Sequence, residues 1–156
     1  MTPSKYDMKG FVLATPLQNN GLIYLDAANV AIERGDAVHD DGSGYATNTG
    51  TAFAATFKGI CAAAITASGE DGSTKVAVIP PNGGDKFWVN DTGQLLAQTS
   101  VGITVDLEAN DSVDSSDETC VHYGFMIDEI DISANAIAAN AYGFALGRLV
   151  STPDES

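Results

Sequence analysis

The chain has 156 residues, 44% of them hydrophobic, and carries 21 acidic against 7 basic residues, a formal net charge of −14. That length supports one domain with a real core, and the apolar fraction argues against a disordered chain. The basic residues are few and scattered (Lys5, Lys9, Arg34, Lys58, Lys75, Lys86 and Arg148), which disfavours direct nucleic-acid binding and attachment to an anionic membrane.

Residues 1–20 mix Pro, Lys, Gln and Asn around one apolar run at 11–14 and read as an extended N-terminal arm leading into a single β-rich domain over 21–150. The arm lacks the apolar core of a signal peptide, and no stretch is long enough to span a bilayer, so synthesis in the cytoplasm is expected. Residues 21–26 form a strand and 29–32 a short second one. Gly35-Asp36 turns into a strand at 37–38, the Asp40-Asp41-Gly42 cluster signals a hairpin, and 45–47 return. Residues 53–66 carry Gly59 in mid-run, the mark of a kinked or bulged strand pair. The β-branched run 75–79 stops at Pro80-Pro81, and 87–89 make a further strand.

Residues 101–107 alternate, with Val101, Ile103, Val105 and Leu107 on one face. A polar loop is expected over 108–118, and alternation resumes at Val121, Tyr123 and Phe125. Residues 133–142 are ambiguous between a helical turn and a loop. Residues 144–150 close the domain, and 151–156 form a flexible tail. Eight to ten short strands predict an all-β fold, a small β-sandwich or β-barrel of the β-tulip or jelly-roll kind.

Residues 87–147 contain no Lys or Arg but ten acids. This suits a surface that presents hydrogen-bond acceptors and is a poor design for grasping phosphate. Cys120 and His122 lie two apart on an expected strand, so their side chains share a face. With Cys61 and His39 they make a Cys₂His₂ set whose spacing matches no zinc module, so buried thiols and ordinary histidines are expected, with no metal or other cofactor. Whether Cys61 and Cys120 pair is open. The loop over 106–118 has Asp111 where an EF-hand needs glycine, and a solvated acidic loop is expected, with a divalent ion as the alternative. Trp88 reads as core or interface, with sugar stacking as its alternative. Paired carboxylates of a carbohydrate hydrolase remain a rival reading.

Several pieces in order are similar to the small β-rich decoration (cement) proteins of tailed-bacteriophage capsids: Gly35-Asp36-Ala37-Val38, Phe57-Lys58-Gly59-Ile60-Cys61, residues 75–81, Phe87-Trp88-Val89, residues 100–107 and Gly147-Arg148-Leu149. The resemblance covers about residues 30–150. It implies a non-enzymatic virion protein on the capsid exterior, bound to the major capsid protein shell, as a homotrimer or other homo-oligomer. The expected contact residues are Lys5, Lys9 and Phe11 in the arm, then Trp88. Removal of residues 1–20 is expected to weaken attachment and leave the domain folded. The alternatives are another virion part (a head fibre base, tail component or carbohydrate-binding adhesin) or a bacterial β interaction module.

Overall fold

The computed structural model describes residues 10–14, 21–50 and 52–151, and in it two antiparallel sheets pack as a sandwich. One sheet has six strands in the order β1 (Val12–Leu13), β7 (Lys86–Asn90), β11 (Phe144–Ser151), β10 (Tyr123–Asp131), β8 (Thr104–Ala109) and β9 (Ser112–Asp114). The other has five, in the order β2 (Ile23–Asp26), β6 (Lys75–Ile79), β5 (Phe57–Cys61), β3 (Ala37–Asp40) and β4 (Ala46–Thr47). One short helix, α1 (Ala134–Ala139), joins β10 to β11. No helix among the described residues is long and apolar enough to cross a membrane.

The core lies between the sheets. Phe87, Val89, Val105, Phe125 and Ile127 of the first meet Ala37, Phe57, Ile60 and Ile79 of the second. Successive residues of a strand face opposite ways, so Val38, Cys61 and Val78 point to the other side of the five-stranded sheet. There they join Ala27, Ile32, Ala46 and Val76 in a second buried cluster, with Val30 and Ile65 packed on it. Both faces of that sheet are therefore covered, which is why β5 and β6 lack a clean polar alternation. Gly59 is required at their contact: its φ is 137°, and a Cβ there would lie 2.1 Å from the Ile79 carbonyl oxygen.

Several local expectations need correction. The segment 29–32 is not a strand; Ile32 makes only a bridge to Ile65. Residues 53–66 hold one strand, β5, and the expected bulge lies in it: Val38 and His39 pair with Gly59 and Phe57, and Lys58 is the extra residue. The loop expected over 108–118 contains β9, paired to β8, with Val113 fully buried. Cys120 and His122 precede β10 and are not on a strand. The ambiguous stretch forms α1, whose Ser133 Oγ accepts from Ala136 N–H (3.4 Å).

The largest difference concerns the arm. Residues 10–14 belong to the domain: β1 pairs with β7, Phe11 N–H donates to Gly35 O (2.9 Å) and Ala14 N–H to Lys86 O (2.9 Å). The remainder of the arm, 1–9 and 15–20, lies outside the described residues, as does the tail from 152.

Candidate functional site

Of the four expected contact residues, Lys5 and Lys9 lie outside the described residues. Phe11 is 3% exposed and its ring centroid lies 6.4, 6.0 and 5.6 Å from those of Phe53, Phe87 and Phe125. It is a core residue of this chain and offers no contact surface. Burying a phenylalanine stabilises the fold by roughly 1.5–3 kcal/mol, so an apolar ring in a polar arm is drawn inward.

Trp88 is placed differently. Along β7, Phe87 and Val89 are buried while Lys86, Trp88 and Asn90 are half-buried, so Trp88 stands on the outer face of the six-stranded sheet. Its cross-strand neighbours are Val12 on β1 and Leu146 on β11. Beside them Asp128 on β10 holds two of the chain's seven cations. Arg148 Nε lies 3.2 Å and Lys86 Nζ 3.6 Å from Asp128 Oδ2, and Arg148 Nη2 lies 3.3 Å from Oδ1. The face thus combines a large aromatic side chain with an ion triad that fixes its surroundings.

The acids of the long Lys- and Arg-free stretch serve a recurring local purpose. Asp91, Asp114, Asp117 and Asp131 each accept the backbone N–H two residues on, from Gly93, Ser116, Thr119 and Ser133 at 3.5, 2.9, 3.0 and 3.0 Å. Asp40 and Asp41 do the same for Gly42 and Ser43 (2.7 and 2.8 Å). These are Asx turns, in which a short carboxylate replaces a backbone acceptor. Their signature, Asp-x-Gly/Ser/Thr, is legible in the sequence. Asp106 accepts instead from Phe53 N–H (2.7 Å), tying the loop at 52–56 to β8. Asp91 is fully buried and also receives Ser115 N–H and Oγ–H, both at 2.7 Å. Burial pushes its carboxyl above the ordinary range in spite of those bonds, whereas the Thr119 hydroxyl and amide hold half-buried Asp117 below it.

The cysteines and histidines do not gather. Cys61 is in the cluster outside the five-stranded sheet, its Sγ–H donating to Ala63 O (3.1 Å), and His39 donates Nε2–H to Ala52 O (2.7 Å). Cys120 packs near Gly124 and His122 is exposed. Both cysteines are thiols. Burial, with the charges of Asp106, Asp117 and Glu118, pushes the Cys120 thiol up to about 12, which keeps it protonated and a poor nucleophile. Among the described residues no three His, Cys, Asp or Glu side chains converge on a common point. In Arg34-Gly35-Asp36 the arginine is exposed while the glycine and aspartate are buried; Asp36 is 5% exposed and accepts from Glu33 N–H (2.9 Å) and Asn48 Nδ2–H (2.8 Å).

The chain matches no protein-family model and no curated protein. The molecule is a sandwich whose acids build turns and whose surface carries Trp88, an ion triad and negative charge.

Proposed function

We propose that this chain is a non-enzymatic structural protein that decorates and stabilises a phage-like capsid from the outside, bound to the major capsid protein shell. The order of strand motifs from Gly35 to Leu149 supplies the capsid part of this reading, since it is similar to that of decoration proteins. The observation that carries the non-catalytic part is the use of Asp91, Asp114, Asp117 and Asp131 in Asx turns. Carboxylates held by their own backbone rigidify the loops of a short-stranded sandwich, and a load-sharing protein needs stiff loops. Trp88 on the outer sheet face is the contact residue this reading retains, because aromatic side chains anchor interfaces.

The test is quantitative peptide counting by mass spectrometry on capsids purified from the source. A copy number comparable to that of the major shell protein is expected. A few copies per particle would move the protein to a head fibre, tail or adhesin role, and absence from particles would reject a virion role.

A further inference from the structure

The chain has 28 charged side chains, and residues 92–105 and 132–147, like 10–25 and 42–57, hold no Asp, Glu, Lys, Arg or His. The first two segments, far apart in sequence, meet at one end of the six-stranded sheet. Phe144, the first residue of β11, pairs with both Asn90, the last of β7, and Asp131, the last of β10; Thr104, the first of β8, pairs with Met126. The connections leaving β7 and β10 therefore emerge side by side. Leu96 N–H donates to Tyr142 O (3.1 Å), and Asn140 Nδ2–H donates to Asp91 O (2.6 Å) and Gly143 O (2.8 Å). A Cβ on Gly143 would lie 3.0 Å from Ile132 Cγ2 and 3.6 Å from Leu96 Cδ1, so three stretches of chain converge there.

This end is apolar as well as uncharged. Leu95 (57% exposed), Ile132 (45%) and Tyr142 (40%) are three of the six large apolar side chains exposed among the described residues. Of the acids beside it, Asp91 is buried, Asp131 Oδ1 accepts from Ser133 N–H (3.0 Å), and Asp114, packed against Gly93, accepts from Ser116 N–H (2.9 Å).

We propose that this charge-free end is the surface through which two copies of this chain associate. Charge selects the occupant. A basic partner would be drawn to the acidic parts of the surface and would gain nothing electrostatically here. A second copy repels the first wherever acids face acids and approaches most closely where none are present. An interface that is apolar at its centre and can pair with itself is what a symmetric homo-oligomer requires. The proposal concerns self-association and does not depend on the capsid reading.

Sedimentation velocity of the full chain across a micromolar concentration series, at physiological salt and with no shell present, tests it. The wild type is expected to sediment as a dimer or larger closed oligomer. Leu95→Asp, and the size-conserving Gln98→Glu at an exposed neighbour, are expected to weaken association tenfold or more while the thermal midpoint holds. Tyr24→Asp, at a 63% exposed position on the distant edge strand β2, should leave it intact. A wild type that stays monomeric throughout overturns the proposal. So does an oligomer that Tyr24→Asp dissociates and Gln98→Glu does not.

Discussion

His39 occupies a position where charge is costly. It is 3% exposed on β3, edge-on to Phe57 with ring centroids 5.4 Å apart, and its Nε2–H is engaged by Ala52 O. Nδ1 is buried with no hydrogen-bond partner among the described residues, and Gly50 closes over it so tightly that a Cβ there would come within 2.5 Å. Burial lowers its pKa from the ordinary 6.5, outweighing the pull of the Ala52 carbonyl and the Asp106 carboxylate. The unfolded chain takes up this proton near 6.5 and the folded chain only at lower pH. Stability is therefore complete above 6.5 and declines as pH falls from there toward the folded value. Asp36 and Asp91 act in the opposite sense. Burial raises their pKa values above 3.8, so the folded state holds their protons more tightly and gains stability as pH falls through that window. The histidine term is thus read as a difference. Between about pH 7.5 and about pH 5.5, the denaturant midpoint of the wild type should fall further than that of His39→Gln. Equal losses in the two proteins would remove His39 as the source.

At the scale of elements, β1 changes what an N-terminal truncation means. The arm was expected to be dispensable for folding, yet Phe11 fills the centre of the aromatic core and β1 covers the edge of β7. Phe11→Ala should cost about 3–5 kcal/mol of stability in denaturant unfolding. A chain starting at Gly21 should unfold at least as readily, whereas one starting at Gly10 keeps β1 and the core. A Gly21 start with wild-type stability would show that the Phe11 site is filled in another way. Only the Gly10 start can then test the outer arm, with Lys5 and Lys9, in attachment. The sequence concealed this because one apolar run among Pro, Asn and Gln looks the same in an arm and in an edge strand. Strands with a private signal were legible: β6 is β-branched and stopped by Pro80, and β3–β4 are announced by Asp-Gly. β9 was not, because Val113 is its sole large apolar residue and pairing with β8 decides its conformation. Val121 misled in the opposite way: it continues the alternation of Tyr123 and Phe125 but is exposed ahead of β10. For the site, the alternation of β7 showed that Phe87 and Trp88 face opposite ways but not which faces inward. The gap in charge was visible along the chain, but only the registers of β7, β10 and β11 bring its two halves to one end.

Over the whole molecule, the net charge of −14 gives the two proposed contacts opposite responses to salt. Charges are screened beyond about 8 Å at physiological ionic strength and beyond about 3 Å at 1 M. If acidic faces of this chain meet basic patches on the shell, attachment rests on attraction between unlike charges and should weaken as salt rises. Association of two copies through the charge-free end rests on apolar burial and is opposed only by repulsion between the acids around it. Salt screens that repulsion and leaves the apolar term in place, so self-association should strengthen. Both are measurable on one preparation, by co-pelleting with shells and by sedimentation of the free protein, at about 0.05 M and about 0.5 M NaCl. The expected result is lower occupancy on shells together with a larger oligomeric fraction in solution. Salt-insensitive attachment would reject acid–base complementarity and leave the Trp88 face to carry the contact by apolar burial. Self-association that weakens with salt would mean that ion pairs join the copies, which an interface built from residues 92–105 and 132–147 has no charges to make.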